Sequence, residues 1–207
     1  DEFNYGINIA ANRYLQIPWN KVASTGSTYR TPDTITLRFK PQLDSTDGVN
    51  YSAYGKHTLM QIDSGSNTKM MVVLQPSGVS EKGNLHFYLS GSGGYLTASI
   101  SNEYIFDDGF SSVMLRRYIS TDVTGSNTKF DIFLKKEKYG KLVVNASASI
   151  NVSTSESIQK SYNSTWIQSG SLYIGYGNNP DNSQNFTGSI QEVRYWGIPL
   201  NESVFDT

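Results

Sequence analysis

Ionisable side chains are the first candidates for chemistry in this chain, and their spacing does not suit catalysis. Hydrolysis of a glycosidic bond with retention needs two carboxyl groups about 5–5.5 Å apart. The best-placed pair is Glu103 and Asp107, but Ile105 lies between them and a turn-forming segment follows. His57 and His86 lie in strand-like patterns, with no cysteine in the chain and no serine–acid arrangement beside them. We therefore predict that the chain is not an enzyme.

A polar loop near the end of the chain is the best candidate for a metal site. Asn178, Asn179 and Asp181 supply neighbouring side-chain oxygens, and Ca²⁺ takes about six to eight oxygen ligands. Asp107 and Asp108 form a second acidic pair. Asn and Asp also form ordinary turns, and no D-x-D-x-D series is present. We expect no cofactor except Ca²⁺, for which the first loop is the candidate site.

Aromatic residues offer a candidate surface for binding sugars. The chain contains 14 Tyr residues, and Tyr combines a flat apolar ring with a polar hydroxyl. Aromatic residues at outward positions beside the predicted core are Tyr88, Phe133, Tyr173 and Tyr176, and Trp196 is a further candidate. The alternative is that aromatic residues simply favour strands, and that loops or a neighbouring chain cover several of them. We take these five as the candidate ligand-binding residues.

Four lysines surround one predicted hairpin, at Lys135, Lys136, Lys138 and Lys141. They could form an anion site, but Glu137 lies among them, and charged residues commonly protect the edge strand of a sheet. We interpret the cluster as a solvated turn.

Charge and composition exclude several classes of partner. A net charge of -1 and a pI of about 6.1 give no long-range attraction to nucleic acid or to an acidic membrane. The absence of cysteine excludes disulfides and thiolate metal sites. No segment approaches the roughly 18 apolar residues of a membrane span, so we expect no membrane insertion. No linker divides the sequence, so we expect one domain over residues 1–207, starting at Asp1 as a mature product or an excised piece.

Short alternating segments separated by turn residues predict an all-β structure. Thr34–Lys40 shows the pattern most clearly, with Ile35, Leu37 and Phe39 on one side. Further predicted strands are Asn12–Ile17, His57–Asp63, Lys69–Gln75, Leu85–Leu89, Tyr95–Ile100, Lys129–Lys135 and Lys141–Ala146.

The last third of the chain is less regular. Ser147–Ser161 is rich in serine and weakly patterned, and Thr165–Ile167 predicts a short strand. Ile190 and Val193 both have core character, with two residues between them instead of one. That spacing predicts a β-bulge at Gln191–Glu192.

Two segments carry a family resemblance. The segment from Leu172 to Phe205 contains a strand, a loop, a Gly-led strand and a closing turn anchored by Leu200 and Phe205. It resembles the end of a laminin-G-like, concanavalin-A-like jelly roll at Leu172, Ile174, Gly175, Phe186, Gly188, Ile190, Glu192, Val193, Arg194, Trp196 and Leu200. The segment Ile105–Tyr118 is similar to the central turn and strand of that family at Asp108, Gly109, Phe110, Val113, Leu115 and Arg117.

The resemblance implies a two-sheet antiparallel jelly-roll sandwich. Because the sequence also offers no constellation able to run a reaction, we predict a non-catalytic recognition or structural module on that scaffold. Such a module would bind a glycan or a receptor, or decorate the surface of a larger virion or extracellular assembly. The ending EVRYWGIPLNESVFD is similar to domains of phage and large DNA virus structural proteins, which implies an extracellular or virion-surface location and other subunits as partners. The alternatives are a glycan hydrolase or lyase on the same scaffold, and a Ca²⁺-dependent adhesion domain that binds a protein.

Overall fold

The computed structural model describes residues 7–9, 13–19, 32–42, 55–79, 81–119, 128–152, 156–167, 170–177 and 184–205. Within these ranges the chain forms thirteen strands and one α-helix. The strands are β1 (Ile7–Ile9), β2 (Leu15–Pro18), β3 (Thr34–Pro41), β4 (His57–Ser64), β5 (Asn67–Pro76), β6 (Lys82–Gly91), β7 (Gly94–Tyr104), β8 (Ser111–Ile119), β9 (Thr128–Lys138), β10 (Lys141–Val152), β11 (Ser171–Ile174), β12 (Gln184–Asn185) and β13 (Gly188–Trp196). The helix is α1 (Glu156–Ile167).

The strands form two sheets that pack face to face. The six-stranded sheet has the order β1-β13-β3-β8-β9-β10. The seven-stranded sheet has the order β2-β11-β4-β5-β6-β7, with β12 added beside β4. The pairs between described strands are antiparallel except for the short β12–β4 pair. This arrangement confirms the predicted all-β, two-sheet jelly-roll sandwich.

Alternation along the strands builds one core between the sheets. Ile35, Leu37 and Phe39 of β3 are buried, as their spacing predicts. Val72 and Phe87 enter the same core from the opposite sheet. Burial of one such side chain contributes roughly 1.5–3 kcal/mol, so the facing rows of apolar residues hold the two sheets together.

Helix α1 corrects a prediction, because its sequence was expected to contain a weakly patterned segment and a strand at Thr165–Ile167. Instead β10 continues to Val152 and the helix occupies Glu156–Ile167. Tyr162 and Trp166 lie four residues apart, on one side of the helix, and both are buried in the core. Packing of this aromatic pair stabilises a helix whose many serines give it little intrinsic preference.

Buried tryptophans fix the position of the helix. Trp19 Nε1 donates to the carbonyl oxygen of Trp166 at 2.8 Å, and Trp166 Nε1 donates to that of Pro32 at 2.8 Å. The two indole rings meet edge to face, with centroids 6.0 Å apart. Gly91 lets the helix approach, because a Cβ atom there would lie 2.4 Å from the ring of Tyr162.

The segment Gly197–Phe205, which we call the C-terminal strap, crosses the outer face of the six-stranded sheet. Thr34 Oγ1 donates to the carbonyl oxygen of Ile198 at 2.8 Å and accepts from the amide of Leu200 at 3.0 Å. Leu200 and Phe205 are both buried. The strap therefore confirms the predicted closing turn and its two apolar anchors.

A β-bulge interrupts β13 where the spacing predicts it. The register against β3 shifts between Gln191 and Arg194, and Glu192 has a φ of 56°. Ile190 is buried and Val193 packs against the core, so both keep the inward orientation that the prediction gave them.

Candidate functional site

A row of side chains crosses the outer face of the seven-stranded sheet from β11 to β6. Tyr173 of β11 lies opposite Gln61 of β4, Gln61 lies opposite Met71 of β5, and Met71 lies opposite Tyr88 of β6. Gln61 is 0% and Met71 1% exposed, so the middle of this face is closed. The accessible groups therefore lie at its two ends.

Three tyrosines form a cluster at the β2–β11 end. The ring centroid of Tyr14 lies 5.7 Å from that of Tyr173 and 4.9 Å from that of Tyr176, and the last two are 5.0 Å apart. The pairing of Leu15 with Ile174 explains this, because it brings the residue before β2 close to the residues that end β11. Tyr14 is 45% exposed and the other two are half-buried, so the tyrosine cluster lies at the surface.

Amide and hydroxyl groups lie beside the tyrosine cluster. Gln16 is exposed, and its Nε2 donates to Ser171 Oγ at 3.1 Å and to the Tyr173 hydroxyl at 3.3 Å. Gly177 continues from Tyr176, and its amide donates to Asn185 Oδ1 at 2.8 Å. The cluster thus combines aromatic faces with hydrogen-bonding groups.

A buried polar network lies inward from the cluster. Gln61 Nε2 donates to Asp63 Oδ1 at 2.8 Å and to Thr68 Oγ1 at 3.1 Å. The Tyr95 hydroxyl donates to the carbonyl oxygen of Thr68 at 3.3 Å. Burial, together with the negative charge of Asp63, raises the pKa of Tyr95. Tyr95 therefore stays protonated at neutral pH and is poorly suited to act as a general base.

The β6–β7 end of the face holds a second aromatic group. The ring of Tyr88 meets that of Tyr95 edge to face at 6.4 Å, and Tyr95 is 41% exposed. His86 lies 6.2 Å from Tyr88, and its Nδ1 is 2.8 Å from Ser99 Oγ. Tyr88 and the tyrosine cluster are three strands apart, which corresponds to about 14 Å.

His57 lies at the start of β4, beside the short strand β12. Its Nδ1 is 3.0 Å from the carbonyl oxygen of Asn185. Burial lowers the pKa of His57, and this hydrogen bond opposes the shift only in part. Both histidines therefore lie in strands, as predicted, and in different surroundings.

Phe133 and Trp196 correct the prediction of one outward aromatic surface. Phe133 points away from the sandwich but is only 5% exposed, because it packs with Met114 beneath the C-terminal strap. The guanidinium of Arg116 covers its ring at 4.8 Å. Trp196 packs against the same group and is half-buried. Both residues belong to the six-stranded sheet, so the five predicted aromatic residues lie on opposite faces of the molecule.

The acidic and basic clusters of the central segment neutralise each other. Asp107 forms an ion pair with Lys136, and Lys138 lies 3.6 Å away. Asp108 pairs with Lys40 at 2.7 Å. The side chain of Asp107 is only 6% exposed, so the Glu103–Asp107 arrangement does not present two accessible carboxyl groups.

The lysine cluster is also partly internal, which corrects its interpretation as a solvated turn. Lys136 is 1% exposed, and burial lowers its pKa although Asp107 opposes the shift. Lys135 is 9% exposed, and its Nζ donates to the carbonyl oxygen of Glu202 at 3.1 Å. Of the four lysines, Lys138 and Lys141 remain exposed.

The predicted Ca²⁺ ligands Asn178, Asn179 and Asp181 lie outside the described residues. In the part of the chain that the structure describes, no group of three His, Cys, Asp or Glu residues could hold a metal ion. In that same part, no helix is long and apolar enough to cross a membrane.

Two residues of the site escaped the sequence analysis. Tyr14 lies just before β2 and joins the cluster through the pairing of β2 with β11, which the sequence does not reveal. Gln61 lies among apolar residues of β4, where a buried glutamine gives no pattern of its own. Tyr14 lies within the predicted strand Asn12–Ile17, but nothing in that segment shows which strand becomes its neighbour.

Comparison with known proteins gives structural similarity without a family match. No protein-family model and no curated protein sequence matches the chain. The alginate lyase from Klebsiella pneumoniae is 13% identical, with a TM-score of 0.45 over 78% of this chain and 58% of that one. The botulinum neurotoxin type G receptor binding domain is 11% identical, with a TM-score of 0.35 over 96% of this chain and 44% of that one.

An exolytic PL7 alginate lyase from Zobellia galactanivorans is 14% identical, with a TM-score of 0.30 over 88% of this chain and 68% of that one. This chain spans about half the length of the first two structures. At these identities the similarity concerns the β-sandwich fold alone. The laminin-G-like subtype and a viral origin stay predictions.

Proposed function

We propose that this chain is a non-catalytic recognition module that binds a glycan, free or carried by a receptor, at the β2–β11 edge of the seven-stranded sheet. The observation that carries the proposal is the tyrosine cluster, in which Tyr14, Tyr173 and Tyr176 bring their ring centroids within 4.9–5.7 Å of one another at the surface.

The cluster has the properties that sugar recognition requires. A sugar ring has an apolar face, which packs on an aromatic ring, and a rim of hydroxyl groups, which needs donors and acceptors. The three rings supply the first, and the Gln16 amide with the tyrosine hydroxyls supplies the second. Tyrosine also loses little conformational entropy on binding, since it has only two rotatable side-chain torsions.

Glycan binding is tested by screening a glycan array and then titrating the best ligand by calorimetry. Replacing Tyr173 and Tyr176 together by Ala should weaken binding at least tenfold, because stacking area and a hydroxyl contact are both lost. Tyr118→Ala is the matched control, since Tyr118 is 47% exposed but lies on β8 of the other sheet. A blank array together with no binding to host cells would contradict the proposal and favour a purely architectural role.

A glycan lyase or hydrolase is the second candidate, in which Tyr95, protonated at neutral pH, would donate a proton as a general acid. Tyr95, Asp63 and Gln61 are linked through Thr68 on the same face, with His86 and Tyr88 beside them. Cleavage of an acidic polysaccharide or a β-glucan that is abolished by Tyr95→Phe and by His86→Ala would replace the first proposal. Glycan binding without release of a cleaved product would support the first proposal.

We further propose that the module works outside the cell, or on a particle surface, as a subunit of a larger assembly. The sequence resemblance motivates this setting, and light scattering on the purified protein tests whether it forms an oligomer. We also propose that binding needs no cofactor. A chelator should leave glycan affinity unchanged. Loss of binding in the presence of the chelator would favour the Ca²⁺-dependent adhesion alternative.

A further inference from the structure

The two long edge strands, β7 and β10, lie beside each other on one side of the sandwich. Among the residues that the structure describes, no strand pairs with the outer edge of either one. The edge strands at the other ends of the two sheets are β1 and β2, which have only three and four residues. Short edge strands offer little for another chain to pair with, so β7 and β10 are the edges at which such pairing is expected.

Strand β10 lacks the features that normally protect an edge. Lys141 is its only charged residue, it contains no proline, and its one irregularity against β9 lies between Leu142 and Val144. From Val144 to Val152, nine consecutive residues pair with β9 in regular register. Because charges, prolines and bulges are what keep an edge strand from pairing with another chain, this segment is open to a partner strand.

Strand β7 is the less suitable of the two edges. Its register against β6 shifts between Gly83 and Leu85. Asn102 has a φ of 64°, a left-handed conformation that interrupts extended backbone. Strand β10 therefore offers the longer regular edge.

The sequence of this edge is nearly symmetric. Val144–Val152 reads VNASASINV, which is almost the same in both directions about Ala148. The matching positions are Val144 and Val152, Asn145 and Asn151, and Ser147 and Ser149, and only Ala146 and Ile150 differ. Two copies related by a twofold axis through Ala148 would pair antiparallel and place each of these residues opposite its counterpart. The edge is therefore complementary to itself.

The side chains of this edge suit such a pair. Its polar residues are exposed on the outer face of the sheet, and Val144, Ile150 and Val152 are buried on the inner face. Serine opposite serine forms favourable cross-strand pairs, and no charged residue of Val144–Val152 meets a like charge. Ser149 Oγ donates to Asp131 Oδ1 at 2.7 Å, which leaves its lone pairs to accept from Ser147 of the second copy.

We propose that two copies of this chain pair antiparallel along β10, with the twofold axis at Ala148, so that their six-stranded sheets join into one continuous sheet. The tyrosine cluster lies at the β2–β11 end of the other sheet, and β7, beside the paired edge, lies at the opposite end. Both clusters of the dimer therefore stay accessible. The inference names a second copy as the partner, and it does not depend on what the clusters bind.

A single introduced cysteine tests the position of the axis, because the chain contains no cysteine of its own. Opposite residues of an antiparallel pair have Cα atoms about 4.5–5.5 Å apart, which is within the range of a disulfide. Ala148→Cys should therefore form a disulfide-linked dimer on mild oxidation, seen on a non-reducing gel. Ser101→Cys, at an exposed position of β7, is the matched control and should stay unlinked.

A charge exchange at Ser147 tests the contact without a covalent bond. In the dimer the two side chains at this position are diagonal neighbours on one face, about 7–8 Å apart. Ser147→Lys and Ser147→Glu should each weaken dimerisation about fivefold at low ionic strength, because like charges repel. An equimolar mixture of the two variants should recover the dimer, and Ser101→Lys should leave it unchanged. Sedimentation velocity over a range of concentrations measures each against the 23.0 kDa monomer.

The inference would be overturned if folded Ala148→Cys protein formed no cross-link, or if Ser101→Cys cross-linked equally well. It would also be overturned by a dimer that neither charge at Ser147 weakens, or by a mixture of the two variants that dimerises no better than either alone. Circular dichroism reports whether each variant is folded. Glycan binding is measured per chain on the Ser147→Lys variant, so the glycan proposal is judged separately.

Discussion

Lys136 and Asp107 form an ion pair inside the sandwich, where the two side chains are 1% and 6% exposed. Lys136 continues the inward row of Phe130, Ile132 and Leu134 on β9. Its Nζ also donates to the carbonyl oxygen of Gly109 at 3.2 Å. The pair therefore fixes the turn before β8 against β9.

Replacing Lys136 by Met should reduce the free energy of unfolding by about 3–5 kcal/mol, because it leaves the buried Asp107 carboxylate without its main partner. Urea unfolding at neutral pH measures the change. Adding Asp107→Leu to Lys136→Met should recover much of the loss, since no buried charge then remains. Lys138→Met, which removes the exposed lysine 3.6 Å from the same carboxylate, should cost no more than about 1 kcal/mol. Equal losses for the two lysines would contradict this account.

His57 should make the protein less stable in mild acid. Its pKa is lower in the folded state than the ordinary 6.5 of the unfolded chain, so protons bind the unfolded state first as the pH falls. The free energy of unfolding should decrease as the pH drops through about 6.5 and level off below the folded pKa. Urea titrations at several pH values measure this, and His57→Gln should remove that part of the slope. A stability that rises on acidification in this range would be inconsistent with a buried neutral imidazole.

Gly188 should not tolerate a side chain. It has a φ of 155°, and a Cβ atom there would lie 2.2 Å from the carbonyl oxygen of Lys40. Gly188→Ala should therefore cost about 1–3 kcal/mol or more, because the obstacle is backbone of the paired strand β3. Gly197→Ala is the matched control, since a Cβ atom there meets nothing within 4 Å. Thermal unfolding compares the two, and similar midpoints would show that β13 can shift to make room.

Thr34 should be needed to hold the C-terminal strap. Thr34→Val keeps the shape of the side chain but removes both hydrogen bonds to the strap, at Ile198 and Leu200. Each backbone group left without a partner costs about 1–3 kcal/mol. Limited proteolysis should then cut the strap faster than in the unchanged protein, while Thr97→Val, at an exposed position of β7, should not alter the rate. Equal cleavage rates would mean that apolar contacts alone hold the strap.

The sandwich could be predicted because the alternation of apolar and polar residues that defines each strand lies within a few consecutive residues. Ile35, Leu37 and Phe39 alternate within one strand, and the Ile190–Val193 spacing marks a bulge within another. The same reasoning, carried one step beyond Leu134, would have placed Lys136 inside. The charge of the lysine cluster indicates a solvated turn, whereas its alternation places Lys136 in the interior, and the structure follows the alternation.

The candidate site could be predicted only in part, because it depends on which strands become neighbours. Tyr173 follows from the alternation of β11 and Tyr176 lies two residues past its end, whereas Tyr14 joins them only through the register of β2. Phe133 has the correct outward direction, but a distant part of the chain covers it. Helix α1 shows the same limit, since the spacing of Tyr162 and Trp166 becomes meaningful only once the core that receives them is known.

The C-terminal strap also has a consequence for how this sequence can diverge. Thr34, Arg116 and Lys135 each bond to its backbone, so a change at any of them disturbs a contact that closes the six-stranded sheet. At the tyrosine cluster the described contacts are between side chains, and substitutions there leave the strand pairing intact. Mutations can therefore accumulate at that edge and alter ligand preference. On the outer face of the six-stranded sheet, the C-terminal strap and the residues that bond to it constrain each other, which preserves the fold.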